Sequence, residues 1–271
     1  HLQLWHRHDG CSRYRRRGNC NQLISQGRRD CEDDWRDHTN RRQCTYGRDS
    51  RRRGTVALRH RNRLRIGVLI SGRGSNLQAL IDACAEPNYP AEISLVVSNK
   101  PEAVGLVRAQ DAAITTQIIN NLDFHNRDSF DRALHQSLCA ADVSLVCLAG
   151  FMRLLSPEFC EVWRDRLINI HPSLLPSFKG LNAQAQAIAA GAKFSGCTVH
   201  FVRPDVDAGP TILQGEVPVL KTDDADRLSA RILELEHKIY PRVVRLIAQR
   251  RVRVKNERVE IDGQVVGSVS N

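Results

Sequence analysis

Residues 167–180 read L-I-N-I-H-P-S-L-L-P-S-F-K-G, an apolar run that carries two polar side chains, Asn169 and His171, two residues apart. In a strand that spacing places both on one face. Pro172 biases His171 toward an extended backbone and cannot donate to a sheet ladder, so the strand is expected to stop there. The stretch predicts a buried strand that ends by holding an amide beside an imidazole at its carboxyl edge, where open α/β sheets place their chemistry. Such a pair suits acyl transfer. When an amine attacks a formyl or acyl carbonyl, the oxygen gains negative charge and the nitrogen must lose a proton. Asn169 offers uncharged N–H donors, and His171 donates or accepts near neutral pH. One well-placed donor to such an oxygen is worth about 3–4 kcal/mol. The plainer alternative is a turn-capping Asn and a core His whose hydrogen bonds are satisfied.

Residues 196–214 read G-C-T-V-H-F-V-R-P-D-V-D-A-G-P-T-I-L-Q. Thr198 to Val202 alternates as a strand that includes His200, and D-V-D-A-G-P is built of turn formers. Asp207 is therefore a carboxylate on a tight loop between strands. It could orient His171, raise its basicity and relay protons through water, or it could cap its own turn.

These stretches together resemble the glycinamide ribonucleotide formyltransferase family, folate-dependent enzymes of purine synthesis. The resemblance rests on N-I-H-P-S-L-L-P at 169–176, G-L-N-A-Q-A-Q-A-I from Gly180, G-C-T-V-H-F-V at 196–202 and D-V-D-A-G-P at 205–210. It also rests on I-S-G-R-G-S-N-L-Q at 70–78 and L-A-G-F-M-R-L-L-S-P at 148–157, and it spans about Leu64 to Val254. S-F-K-G and D-V-D-A-G-P look most like the version fused into the animal trifunctional purine enzyme. A start at His1 rather than Met is expected of a fragment of such a chain.

The first sixty residues lie outside this resemblance. They hold fifteen Arg, no Lys and seven acids, and so carry +8 of the net charge of +10. Only six of them are Leu, Ile, Val or Phe, too few to bury a core, and no period of 2 or 3.6 persists. The segment reads as a non-structural or artefactual leader, with a domain of residues 61–271 after it. Cys11, Cys20, Cys31 and Cys44 are too widely spaced for a zinc knuckle. No apolar h-region marks a signal peptide, and no stretch is long and apolar enough to span a membrane. An Arg-rich RNA-binding tail is the different-class alternative. Its deletion would abolish a salt-dependent affinity and leave an enzyme's activity intact. The remaining cysteines, 84, 139, 147, 160 and 197, read as reduced, buried thiols of a cytoplasmic protein.

From Leu64 onward, strand and helix signals alternate. Arg65 to Ile70 is a first buried parallel strand, and the loop Ser71-Gly72-Arg73-Gly74-Ser75-Asn76 opens a helix from Leu77 to Cys84. Strand, glycine loop and helix start make an anion site. The loop lacks the third glycine of a dinucleotide fingerprint, so a monophosphate is expected rather than NAD. By resemblance, Gly74, Ser75 and Asn76 bind the phosphate end of the ribonucleotide. Further strands are expected at 92–97, 115–119 and 143–149, with helices at 103–110 and 126–138. Arg127 reads as a solvated charge near a helix end and, by resemblance, faces the acidic part of folate. The loop at 150–155 is apolar where loops are normally polar, either as a core-facing connection or as a slot for a flat ring. The resemblance makes Met152, Arg153, Leu154 and Leu155 part of the folate pocket. Ser156, Pro157 and Glu158 start a helix with a cap, a first-turn Pro and an acid.

Past the organising strand, 180–190 is expected to be helical, with paired strands at 198–202 and 212–219. By resemblance, Arg203, Pro204, Asp205 and Val206 complete the folate pocket beside Asp207. Thr198 and His200 read equally as supports of the site or as ordinary strand residues. Asp224 to Arg250 is a long amphipathic helix in which Pro241 is expected to cause a kink or break. Glu236 reads as a surface acid and, by resemblance, contacts the ribose. Val252–Val254 and Val259–Ile261 form a terminal hairpin, and disorder is expected past Gly267.

The sequence therefore predicts a doubly wound, mostly parallel α/β sheet. The resemblance implies formyl transfer from 10-formyltetrahydrofolate to glycinamide ribonucleotide by Asn169, His171 and Asp207. It implies small-molecule substrates, with no nucleic acid, membrane or metal; no His/Cys/Asp cluster has ligand spacing. Two relatives share the core chemistry, a deformylase that passes the formyl group to water and a methionyl-tRNA formyltransferase that usually carries a further C-terminal domain. The glycine-rich phosphate loop, and a chain that closes soon after the hairpin, favour the ribonucleotide acceptor.

Overall fold

The computed structural model describes residues 63–266. The readings of the first sixty residues, their four cysteines and the segment past Gly267 lie outside that range.

Seven strands form one sheet in the order β3-β2-β1-β4-β5-β6-β7. They are β1 (Leu64–Ile70), β2 (Ala91–Ser98), β3 (Thr116–Ile118), β4 (Leu145–Leu148), β5 (Leu167–His171), β6 (Phe194–Phe201) and β7 (Thr211–Pro218). The first five run parallel, and β6 and β7 are antiparallel to their neighbours. The central parallel strands β1, β4 and β5 are short, largely buried apolar runs because helices cover both faces. The order reverses between β1 and β4, which opens a crevice between the loops that follow those two strands.

Six helices are α1 (Ser75–Ala85), α2 (Gly105–Asp111), α3 (Arg127–Ala140), α4 (Pro157–Val162), α5 (Ala183–Ala189) and α6 (Ala225–Ala248). Residues of α1, α2 and α6 share a core with one face of the sheet, around Val68, Cys147, Ile168 and Ile170. Residues of α3 and α4 pack on the other, around Leu69, Val146 and Leu167. Asn169 and His171 fall on the Leu167 face, as alternation requires.

Ser156 caps α4 by accepting from the Phe159 N–H at 3.1 Å, with Pro157 in the first turn. Two expectations are corrected. The helix expected over 180–190 begins only at Ala183, because Gly180 and Asn182 hold left-handed backbones (φ 76° and 58°). Of the kink or break expected at Pro241, the break is absent, and the helix runs as α6 from Ala225 to Ala248. Proline removes one helical hydrogen bond, but packing holds the turns on either side. The adjacent Tyr240 is fully buried, with its hydroxyl 2.9 Å from the Leu148 carbonyl and 3.3 Å from that of Ile168. The Pro241 carbonyl accepts from the Tyr89 hydroxyl at 2.7 Å. These contacts fix α6 to the strands that carry the site.

The terminal hairpin is present as β8 (Val252–Lys255) and β9 (Arg258–Ile261), joined to β10 (Gln264–Val265) in a separate three-stranded sheet. Its two turn residues, Asn256 and Glu257, both have positive φ (50° and 56°), the twist a two-residue hairpin turn demands. None of the five described cysteines is in a disulfide. Cys147, Cys160 and Cys197 are buried, but Cys139 is exposed on α3 and Cys84 is half-buried, which corrects the expectation of buried thiols. No helix among the described residues is long and apolar enough to cross a membrane.

Candidate active site

β5 presents Asn169 and His171 as its sequence parity dictates, and β6 supplies the next layer. In the antiparallel register Asn169 lies opposite His200, and His171 opposite Thr198. The Asn169 amide nitrogen is 3.3 Å from His200 Nε2, and His200 Nδ1 is 3.0 Å from the Phe201 carbonyl. A carbonyl can only accept, so the proton of His200 sits on Nδ1 and Nε2 accepts from Asn169. Burial depresses the pKa of His200, in keeping with this neutral tautomer. His200 thus orients the amide and leaves its second N–H available.

The segment 202–209 leaves β6 opposite the start of β5 and folds back over the Asn169 face. Its neck is closed by the Phe201 N–H donating to the Pro210 carbonyl at 2.9 Å. Gly209 is required there, since a Cβ would lie 1.7 Å from the Phe201 oxygen. The fold-back brings Asp207, itself left-handed at φ 48°, to His171. One carboxylate oxygen is 3.3 Å from His171 Nδ1 and accepts from the Gly180 N–H at 2.9 Å; the other is 3.7 Å from His200 Nε2. His171 Nε2 is 3.0 Å from the Phe178 carbonyl. Nε2 of His171 is thus hydrogen-bonded to a backbone carbonyl, and Nδ1 faces the Asp207 carboxylate. Rather than capping its own turn, Asp207 accepts from a backbone N–H 27 positions away and lies against His171. Thr198 is a support, for its hydroxyl donates to the Ser173 carbonyl at 2.7 Å and accepts from the Leu175 N–H at 3.0 Å. It holds the segment after His171 in place.

The loop after β1 forms a second centre. Gly74 precedes α1 with φ 70°, and no side chain caps the helix, so its first N–H groups are open to an anion. A Cβ at Gly74 would lie 2.7 Å from Gly105 Cα, so the two helix starts can approach only because both residues are glycine. The structure brings Asn76 and Glu236 together across 160 positions: the amide donates to the carboxyl at 2.7 Å, in the interior. Glu236 is buried rather than a surface acid, and burial pushes its pKa up to about 7. Asn76 Oδ1 is buried without a hydrogen-bond partner among the described residues.

The apolar loop after β4 is joined to the glycine loop. The Met152 N–H donates to the Ser71 hydroxyl at 2.8 Å, and that hydroxyl donates to Asn99 Oδ1 at 2.5 Å. Met152 and Leu154 are 66% and 62% exposed, so they do not face the core, whereas Leu155 is buried. The Arg153 guanidinium stacks over the Phe130 ring at 5.2 Å. Arg127 is exposed at the start of α3, and Pro204, Asp205 and Val206 form an exposed tip. Arg203 is otherwise engaged: its guanidinium pairs with Asp165 at 2.7 Å and Glu257 at 2.8 Å, so only its backbone is left for a ligand.

Sequence reasoning did not find the Phe178 carbonyl against His171, the Ser71 bridge or the partners of Arg203. The first two use a backbone atom and a common loop serine, which carry no sequence signal. Among the described residues, no three His, Cys, Asp or Glu side chains are grouped to hold a metal ion.

Comparison with known proteins gives this geometry a setting. The sequence pattern of the formyl transferase family matches residues 64–244. The human trifunctional purine biosynthetic protein adenosine-3 is 51% identical over 188 residues, which are 69% of this chain and 19% of that protein. The chain thus spans 14–19% of the length of the trifunctional relatives it matches. Phosphoribosylglycinamide formyltransferase of Haemophilus influenzae is 42% identical over 202 residues, 74% of this chain and 95% of the relative. Among solved structures, glycinamide ribonucleotide transformylase 1 of Symbiobacterium toebii superposes with a TM-score of 0.72 at 48% identity, covering 74% of this chain and 94% of its own. The phosphoribosylglycinamide formyltransferase of Coxiella burnetii gives 0.73 at 43% identity, with 76% and 96% covered. A family pattern that spans the whole seven-stranded sheet, together with relatives matched over nearly their full length, establishes that this chain belongs to the formyl transferase family.

Proposed function

We propose that the chain transfers a formyl group from 10-formyltetrahydrofolate to the amine of glycinamide ribonucleotide. The observation that carries this reading is the convergence of Asn169, His171 and Asp207 at β5, on the same sheet as the open helix start after β1 and the loop with exposed apolar side chains after β4.

The residues present fit both reactants. Gly74, Ser75, Asn76 and the start of α1 receive the phosphate end of the ribonucleotide, with Glu236, hydrogen-bonded to Asn76, on the side of the sugar. Met152, Leu154 and Val206 offer apolar surface suited to a flat ring, and the backbone of 203–206 can read its edge. Arg153, Leu155, Pro204 and Asp205 shape that pocket, and Arg127 is open to an anionic tail. The folate, when bound, supplies the formyl carbon.

The second N–H of Asn169 donates to the carbonyl oxygen as it gains charge. His171 assists at that oxygen, exchanging the Phe178 carbonyl for the substrate. The new C–N bond forms at the amine as the bond to the folate nitrogen breaks. One proton passes from the amine to that nitrogen, with Asp207 and His171 moving it through water. Asp207 also holds His171 from one side and the Gly180 backbone from the other, so the ring reacts from a fixed position.

The test supplies 10-formyltetrahydrofolate to the full chain with and without glycinamide ribonucleotide and follows release of tetrahydrofolate. Release that requires the ribonucleotide is expected. Equal release without it would mean that water is the acceptor, and no release from a folded chain would overturn the assignment.

A further inference from the structure

The donor-side segment is held at both ends. Its far end is Asp207, fixed by His171 and Gly180. Its near end is Arg203, whose guanidinium lies at the amino end of β5. There it donates to Glu257 through Nε at 2.8 Å, to Asp165 through Nη2 at 2.7 Å and to the Val202 carbonyl through Nη1 at 3.1 Å. Only 10% of the Arg203 side chain is accessible. Between these anchors Pro204, Asp205 and Val206 are exposed.

Glu257 comes from the tip of the β8–β9 hairpin, fifty-four positions from Arg203. Its other oxygen pairs with Arg164, which also reaches Glu161 at 2.6 Å. One carboxylate in a tight turn thus joins two cations from two separate segments, and a planar guanidinium meets two carboxylates in fixed directions. The hairpin itself contributes no residue to the site described above. What it offers that site is this contact.

We propose that Glu257 is a positioning residue for the folate donor: through Arg203 it sets the backbone at the start of 203–207, so the C-terminal hairpin is a working part of the donor pocket. This rests on the assignment of 203–206 to the folate. A segment anchored only at Asp207 would present its tip in several arrangements, and the donor would have to select one of them.

The test uses the full chain with Glu257→Ala and Glu257→Gln, the latter keeping shape and one acceptor while losing the charge. Equilibrium binding of 10-formyltetrahydrofolate is measured by calorimetry beside steady-state kinetics and thermal unfolding. Glu257→Ala is expected to raise both Kd and KM for the donor about fivefold, the size of one partly exposed ion pair, with Glu257→Gln between it and the parent. The ribonucleotide KM and kcat stay within about twofold, because Asn169, His171 and Asp207 keep their own contacts. Arg164→Ala, which leaves the Arg203 contact in place, shifts the donor less. Donor binding unchanged in folded Glu257→Ala would overturn the proposal. So would equal loss on both substrates and kcat, which marks general destabilisation. Binding needs no turnover, so a chain that binds folate but transfers nothing would sink the formyl-transfer reading alone. A chain that binds no folate would sink both.

Discussion

The two halves of the sheet make their contributions in different ways. In the parallel half, β1 and β4 each run into a loop that starts or precedes a helix, and the proposed binding would fall to backbone and local geometry: open N–H groups after Gly74, an apolar loop after Gly150. In the antiparallel half the proposed chemistry would fall to side chains that face each other across strands. Asn169 meets His200 because β5 and β6 are in antiparallel register, and Asp207 arrives through a loop folded over the same face. A parallel crossover spreads successive loops along one edge of a sheet, whereas a hairpin returns the chain to its neighbour and can bring three side chains to one point. The difference teaches that loss of a side chain should silence the antiparallel half, while only changes of backbone shape should hurt the parallel half.

The largest expected effect breaks the antiparallel cluster. His171→Ala and Asp207→Asn should lower kcat by about 10²–10⁴-fold while leaving both KM values near the parent, as expected when proton transfer is removed but binding is not. Asn still accepts from the Gly180 N–H, so the loop keeps its fold and the kinetics report on charge. A KM effect without a kcat effect would move these residues from chemistry to binding.

A smaller effect tests the parallel half. Gly74→Ala adds a Cβ at φ 70° against Gly105 and should cost about 1–3 kcal/mol of backbone strain. The ribonucleotide KM should rise by about tenfold or more, with donor affinity unchanged. Equal loss of both substrates would show that the two loops act as one.

Glu236 sharpens the comparison through pH, because its carboxyl belongs to α6 but serves the β1 loop. Burial raises it from 4.5 to about 7. Between those values the unfolded chain has lost this proton and the folded chain has kept it. Stability should therefore fall as pH rises from about 4.5 to 7 and level off above, by on the order of 3 kcal/mol for this one group. Glu236→Gln removes that slope, so the variant should gain on the parent steadily across the window. Chemical denaturation at pH 5, 6, 7 and 8 reads the difference, and a constant gap would contradict it.

The smallest effect concerns the seam between the loops. Ser71→Ala leaves the Met152 N–H and Asn99 Oδ1 without their shared partner, at a cost of about 1–3 kcal/mol. Both KM values should rise a few-fold together, which isothermal binding of each substrate alone would confirm or refute.

Much of this organisation is written locally. The alternation in L-I-N-I-H puts Asn169 and His171 on one face wherever that strand pairs, because the pleat has period two. Ser156-Pro157-Glu158 specifies a helix start by its own hydrogen bonds, and the glycine loop specifies an open helix terminus. Those features need no neighbours, and the sequence by itself determined them along with the α/β alternation.

The tertiary structure decided which distant groups meet. Glu236 reads as a surface acid on its helix and becomes a buried partner of Asn76 only because α6 packs against α1. Pro241 is tolerated because the Tyr240 hydroxyl and the packing around it hold the turn that proline weakens. Arg203 reads as a pocket residue, yet its charge is taken by Asp165 and Glu257 from other segments. His200 reads ambiguously until register sets it against Asn169. In each case the outcome depends on long-range packing and pairing, and pattern within a short window carries no information about which remote side chain will fill a given place.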